Sequence, residues 1–424
     1  MGVDLEQKLA ILGEAARYDA SCASCGSERQ APKGKGVGNA YKAGICHSWT
    51  EDGRCVSLLK VLMSNACLFN CAYCANRCSA NTERATMTPR EIAHLTAEFF
   101  RRNYIEGLFI SSGVVKNPDY TMELMIEAIR LLRTEYHFYG YIHAKVIPGT
   151  DPLLLQRLGL MVDRVSVNIE LPSERSLELL APQKSKQKIL APMGQIRAMQ
   201  TQNLAERRKF HSAPKFAPGG QSTQMIVGAT GESDAQILRL ASGLYQNYEL
   251  RRVYFSAYVP VGNHPALPPP DVKTPLRREH RLYQADWLMR RYHFNVEEIT
   301  EDGQNLDEAV DPKCAWALRH PELFPVEINT ADMDMLIRVP GIGLVGARHI
   351  VAARRTRKLE LDDLPKLGIV TKRARYFITC KGRSALKHAF PPELLHALLA
   401  DARENPDQMS LAETLQPQLA VAEI

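Results

Sequence analysis

The chain has 424 residues, 45% of them apolar and 24% charged, with a formal net charge of +6. That length supports one large core with one or two smaller modules, and that balance excludes a disordered chain. No apolar run approaches the roughly 18 residues a membrane span needs, and the charged start Met-Gly-Val-Asp-Leu-Glu-Gln-Lys has no apolar signal region, so the expected compartment is the reducing cytoplasm.

Taken in order, residues 4–18 place Leu5, Leu9, Leu12 and Ala16 at helical spacing. Cys22 and Cys25 follow on a loop, then a polar stretch with Gly34, Gly36, Gly38 and Gly44, with Cys46 and Cys55 at its end. Residues 1–55 therefore read as an irregular, Cys-bearing N-terminal segment. Its four thiols suit a second metal, either an auxiliary iron–sulfur cluster or a structural zinc; free thiols packed as small hydrophobes are the alternative.

From residue 56 strands and helices alternate. Strands are expected over 56–63, 107–111, 139–147, 164–169, around 225–228 and over 252–259. Helices are expected from the Thr88-Pro89-Arg90-Glu91 start signal, over 121–133 and from Asp151. Six βα units imply a parallel sheet, and the α/β fold class expected for 56–265 is a partial (β/α)6 TIM-like barrel. Residues 181–224, with Lys184, Lys186, Lys188, Arg207, Arg208 and Lys209, read as a βα insertion near the barrel mouth that either touches a phosphate backbone or is a solvated loop. Residues 266–325 read as a linker and helical connection, 326–390 as a separate all-α module and 391–424 as a tail. Cys314 and Cys380 stand alone and read as buried thiols.

The first strand runs into Cys67-Leu68-Phe69-Asn70-Cys71-Ala72-Tyr73-Cys74, three thiols at C-x3-C-x2-C spacing. Three thiolates suit a [4Fe-4S] cluster with one iron left open to a group that is not protein. A structural zinc completed by Cys78 is the alternative, although C-x3-C is wider than the usual zinc knuckle. Active sites of βα barrels gather at the carboxyl ends of the strands. Those ends carry this loop, Ser111-Ser112-Gly113, Lys145, Asn168 with Glu170, and Gly228.

Residues 331–385 hold twelve Lys/Arg against five Asp/Glu, a balance of +7. Within them Leu336, Ile337 and Val339 end one helix, Pro340-Gly341-Ile342-Gly343 makes a tight turn, and Ala347, Ile350 and Val351 lie on a second helix that also carries Arg348. Exposed amides and the dipole at a helix start favour an anion, and glycine removes the side chain that would hold it off. A weaker copy runs through Lys366 and Gly368 to Lys372, Arg373 and Arg375. Such a module grips phosphates and reads little sequence; a packing or protein-contact role is the alternative.

The C-x3-C-x2-C loop, with Tyr73 directly before its last Cys, resembles that of the radical S-adenosylmethionine (SAM) enzymes. The resemblance implies that Cys67, Cys71 and Cys74 hold a [4Fe-4S] cluster whose fourth iron takes the amino and carboxylate groups of SAM. It implies that Ser111, Ser112 and Gly113 meet the methionine amino group, although the acid usual there is absent. It also implies that Asn168 and Glu170 lie near the ribose or methionine end and Gly228 against the adenine, with Tyr73, Asn76, Arg77 and Lys145 as further cofactor contacts. The two glycine turns resemble the helix-hairpin-helix motif of DNA repair proteins. Together with Gly44-Ile-Cys-His-Ser48, Arg102-Asn-Tyr-Ile-Glu-Gly-Leu-Phe-Ile-Ser-Ser-Gly113 and Ser166-Val-Asn-Ile-Glu-Leu-Pro172, the chain resembles a family described as DNA modification or repair radical SAM proteins. What this implies is reductive cleavage of SAM to methionine and a 5′-deoxyadenosyl radical that abstracts hydrogen from a nucleotide. DNA is then the partner and a flavodoxin or ferredoxin the electron donor. An RNA-modifying enzyme is one alternative; a non-catalytic DNA-binding protein with a structural cluster is the other.

Overall fold

The computed structural model describes residues 4–16, 45–49, 55–261, 264–386 and 390–400. The chain divides into two compact units, Met1–Glu232 with Gly243–Pro275, and Ser233–Ser242 with Leu276–Ile424.

The first unit is built on a seven-stranded sheet in sequence order: β1 (Ile45–Trp49), β2 (Cys55–Leu62), β3 (Gly107–Ser111), β4 (Tyr141–Lys145), β5 (Arg164–Ser166), β6 (Gln221–Val227) and β7 (Arg252–Ala257). Strands β2 to β7 are parallel and curl into the expected half-barrel. The helices are α1 (Leu5–Ala16), α2 (Pro89–Arg101), α3 (Pro118–Thr134), α4 (Pro152–Gly159), α5 (Glu174–Leu180), α6 (Lys186–Lys209) and α7 (Asp234–Tyr248), the last running across the division between units. The start of α2 is a capping box: Thr88 accepts from the Glu91 amide, Glu91 reaches back to the Thr88 amide, and Pro89 fills the first turn. Such a cap is worth about 1 kcal/mol.

Two expectations change. The N-terminal segment is not irregular throughout, because β1 pairs antiparallel with β2 and sets Cys46 opposite Leu58 and Cys55 opposite Trp49. Residues 181–224 are not a loop insertion but mostly the helix α6, which carries Lys186 and Lys188 in its first turn and Arg207, Arg208 and Lys209 in its last. Cys22 and Cys25 lie outside the described residues.

Register and burial separate the two faces of the sheet. Leu59, Val61, Leu108, Ile110, Ile142, Val165, Met225, Val253 and Phe255 share one face and are fully buried. That face meets the helices, since Gln221 Nε2 donates to the carbonyls of Met193 on α6 (3.1 Å) and Tyr248 on α7 (2.6 Å). The opposite face carries an apolar cluster of Val56, Leu58 and Phe109 packed with Tyr141, and beyond it polar side chains, with Lys60, Ser111, His143, Lys145, Ser166, Ser222 and Gln224 in matched register. Burying apolar area at roughly 25 cal/mol per Å² on the helix side stabilises the sheet and leaves the other side for chemistry.

The second unit contains α8 (Leu276–Arg291), α9 (Val296–Ile299), α10 (Pro312–Arg319), β8 (Val326–Glu327), α11 (Met333–Arg338), α12 (Leu344–Ala353), α13 (Thr371–Ala374), β9 (Ile378–Cys380), β10 (Arg383–Ser384) and α14 (Pro392–Leu399). It is not all-α as expected: β8, β9 and β10 form a small sheet whose edge pairs Val326 with Ile378. The runs involved are two or three residues long, too short to leave a periodic signal in sequence. Among the described residues no helix is long and apolar enough to cross a membrane.

Candidate metal centre

The segment after β2 is held before any ligand is considered. Met63 donates to the Ser111 carbonyl (2.8 Å), so the strand is followed immediately by a second link to β3. Asn65 is buried, and its side-chain amide donates to the Glu83 carbonyl and accepts from the Ala85 amide, both at 2.8 Å. Arg84 then closes the loop. Its guanidinium donates to the carbonyls of Asn65 (2.5 Å), Asn76 (3.0 Å), Arg77 (2.7 Å) and Ala80 (2.9 Å). Only a planar fork of donors serves four acceptors from one side chain.

On this frame sit the thiols. Cys71 is buried, Cys67 and Cys74 are half-buried, and Cys78 is exposed. The Cys67 sulfur accepts from the amides of Phe69 (3.4 Å) and Val114 (3.3 Å), and the Cys74 sulfur from the Asn76 amide (3.4 Å). Amides aimed at sulfur suit thiolate ligands of an iron–sulfur cluster, whose potential such bonds tune. Among the described residues no group of three or more His, Cys, Asp or Glu is placed to hold a metal ion.

Ser111, Ser112 and Gly113 lie against this loop and shape it. The Ser112 hydroxyl donates to the Gly113 carbonyl (2.7 Å) and the Gly113 amide to the Ser64 carbonyl (2.7 Å). A Cβ on Gly113 would stand 2.9 Å from the Cys67 Cβ, so glycine is required for β3 to approach the first thiol. Arg77 is likewise a structural clasp: it donates to the carbonyls of Cys74 (3.1 Å) and Val261 (3.2 Å). Asn168 pairs its amide with Gln224 (3.2 Å) on the polar face. Lys145 ends β4 beside Ser166 on that face. Gly228 has φ +81°, and a Cβ there would meet Pro275 at 2.7 Å. Its backbone and that contact account for the glycine without a bound base.

The sequence did not reveal Lys184 as part of this site. Its ammonium donates to Glu170 Oε1 at 2.9 Å and to Tyr73 Oη at 3.4 Å, and stands 5.9 Å from the Tyr73 ring centre. Both charged side chains are largely buried, 13% exposed for Lys184 and 9% for Glu170. Burial pushes the Cys71 thiol up, and the same cause takes Cys74 to about 11. Tyr73 is raised well above its ordinary range, first by burial and then by the Glu170 charge. Burial alone would lower Lys184, but the neighbouring Glu170 carboxylate, foremost, outweighs it and holds the ammonium protonated.

In the second unit, α11 and α12 contact one another across the Pro340–Gly343 turn as a helical hairpin, and the turn over Pro365–Leu367 leads through Gly368 into the short α13, the counterpart that the sequence reads as a second hairpin. Gly341 has φ +86°, and a Cβ on it would stand 2.7 Å from the Val370 carbonyl oxygen and 3.0 Å from the Ala374 nitrogen. Its space is filled by the other hairpin. His349 Nδ1 lies 3.0 Å from the Leu367 carbonyl, which joins the two again. Gly343 caps α12 without a side-chain bond. Arg348, Lys366, Gly368 and Lys372 are exposed, whereas Arg373 is partly buried and paired with Asp311, the cap of α10.

Residues 61–242 match the model of the radical SAM superfamily. Among solved structures, the chain is similar to HydG, a maturase of the [FeFe]-hydrogenase, at 15% identity and a TM-score of 0.40, over 54% of this chain and 48% of that one. It is similar also to the FeFe-hydrogenase maturase HydG from Carboxydothermus hydrogenoformans, at 14% identity and a TM-score of 0.36, over 48% and 46%. The chain thus spans about half the length of these structures. No curated protein matches it.

Proposed function

We propose that this chain, through the radical SAM domain of residues 61–242, is an enzyme that modifies or repairs a nucleic acid, with DNA as the polymer. The observation that carries the reading is the C-x3-C-x2-C loop, set by β2, β3 and Arg84 at the carboxyl end of a parallel half-barrel. The radical SAM superfamily uses a [4Fe-4S] cluster and SAM, which together supply one-electron cleavage of a sulfonium and hydrogen abstraction from a substrate. Here Cys67, Cys71 and Cys74 hold the cluster. The amides of Phe69, Val114 and Asn76 support two of the three sulfurs, Gly113 admits β3 against the first, and the polar sheet face from Ser111 to Gln224 receives SAM. Radical SAM enzymes draw the electron from a reductant of the flavodoxin or ferredoxin kind.

The nucleic-acid part rests on the second unit. Exposed Arg348, Lys366 and Lys372 stand on two helical hairpins whose turns are glycine-based, and the start of α12 leaves its amides without a side-chain cap. Such surfaces neutralise phosphates in a salt-dependent manner.

Anaerobic reconstitution with iron, sulfide, SAM and dithionite tests the enzymatic part. Wild type is expected to make 5′-deoxyadenosine and a Cys71→Ala variant to make essentially none; equal yields sink the reading. Adding duplex DNA, single-stranded DNA or RNA then tests the polymer. Stimulation by DNA supports the proposal, and stimulation by RNA alone replaces it with an RNA-modifying enzyme.

A further inference from the structure

Lys184 is a largely buried charge beside the thiol loop that is not one of the thiol ligands. It lies just beyond α5, where its backbone amide bonds the Ala181 carbonyl (2.8 Å), and α5 itself is tied to the thiol loop by the bond from the Ala72 amide to the Leu180 carbonyl (2.7 Å). Glu170, its partner, occupies a left-handed backbone conformation (φ +65°) at the exit of β5. A non-glycine residue there is strained and persists only where its surroundings over-determine it. They do: the Glu170 amide donates to the Gln224 carbonyl (3.1 Å), and its carbonyl accepts from the Ile226 amide (2.7 Å). The backbone is thus held in a strained state that delivers a carboxylate to a buried lysine.

We infer that Lys184 is a positioning residue for charge at the thiol loop: its buried ammonium, oriented by Glu170 and seated on Tyr73, favours the reduced state of the cluster held by Cys67, Cys71 and Cys74. The inference rests on the reading that these thiols hold the cluster. A [4Fe-4S] core that takes one electron passes from 2+ to 1+, so with three thiolate ligands the total charge passes from −1 to −2. A nearby cation stabilises the second state more than the first. Of the pair, the Lys184 ammonium reaches the thiol loop itself, 3.4 Å from the hydroxyl of Tyr73, which stands between Cys71 and Cys74 in the chain.

A purely mechanical role for the ion pair makes a different prediction, and the two variants that break it separate the cases. Full-length protein is reconstituted anaerobically with iron and sulfide, without SAM, and iron and sulfide per chain are measured. The cluster is then titrated with dithionite, which supplies the electron, and followed by electron paramagnetic resonance. In Lys184→Met the ratio of reduced to oxidised cluster at a fixed potential is expected to fall about tenfold, a midpoint about 59 mV lower for one electron. Lys184→Arg is expected to stay close to wild type, and Glu170→Gln to shift the opposite way, because it leaves the cation uncompensated. Unmoved midpoints, or Lys184→Met and Glu170→Gln moving together in one direction, overturn the inference and leave a clasp. Where Lys184→Met takes up no iron, the Glu170→Gln and Lys184→Arg midpoints decide. Wild type that takes up no iron overturns the cluster assignment and this inference with it.

Discussion

Arg84 donates to four backbone carbonyls of the thiol loop, those of Asn65, Asn76, Arg77 and Ala80. Hydrogen bonds from a charged donor are worth about 1.5–3 kcal/mol each, and their joint loss leaves partly buried carbonyls unpaired. Because the four bonds share one side chain and are only partly buried, their loss does not add, and Arg84→Ala is expected to cost about 2–4 kcal/mol in denaturant unfolding and to reduce iron retained after desalting. Arg84→Lys should recover little of either, since an ammonium cannot reach four divergent acceptors. A second expectation concerns pH. The fold holds Cys74 at about 11, above its ordinary value of 9.0; the residue as a whole keeps some exposure, yet burial of the thiol raises it. A raised thiol means that the folded state favours the protonated form. The apo protein should keep this stability below about pH 9 and lose it as pH rises towards 11. Thermal melts across that window should fall for wild type and fall less for Cys74→Ser. The thiols were legible because their spacing along the chain is itself the signal. Arg84 and Lys184 were not: one acts on carbonyls, which carry no residue identity, and the other meets Glu170 across a turn and a helix that no periodicity connects.

The two hairpins give a comparison at the level of the element, because their turn glycines differ in what surrounds them. Gly341 has φ +86° with backbone of the other hairpin at 2.7 Å from where a Cβ would be, whereas Gly368 has φ +79° and nothing within 4 Å. Substituting alanine at Gly368 incurs only the left-handed conformation, about 1–2 kcal/mol. Gly341→Ala adds overpacking against backbone that has little room to shift, for a total of about 3 kcal/mol or more. Equal shifts of the two variants in denaturant midpoint would refute the packing of the hairpins against each other. Sequence identified both turns through Gly and Pro, yet assigned Gly341 to phosphate approach, because pattern cannot say whether a missing side chain makes room for a ligand or for the protein. It missed α6 for a related reason: the helix contains Pro192, and its buried residues, Ile189, Pro192, Met193 and Ile196, are confined to its first half. The remainder is a solvated helix without an apolar stripe, which reads as a loop.

At the scale of the molecule the basic surplus of residues 331–385 is only partly available to a polyanion. Arg338 is paired with Glu298 and lies 4.3 Å from the Phe294 ring centre, Arg354 donates to the carbonyls of Ile328 and Ala331, and Arg357 forks onto Asp363. Arg373 is bound to Asp311, whose carboxylate also caps α10 through the Cys314 amide (3.0 Å). These cations build the unit, whereas Arg348, Lys366 and Lys372 face solvent. If each of those three neutralises one phosphate of duplex DNA, together they contribute about −2.7 to the slope of log affinity against log salt, at about −0.9 per contact. Fluorescence anisotropy over a salt series with the full-length protein measures it. Alanine at Arg348, Lys366 or Lys372 should each flatten the slope by about 0.9 with little change in melting temperature. Arg373→Ala should do the reverse, lowering the melting temperature by uncoupling α13 from α10 while leaving the slope in place. A flattened slope in Arg373→Ala with an unchanged melt would mean that this arginine leaves Asp311 for a phosphate, and that the charge on the hairpins is shared between folding and binding rather than divided between them.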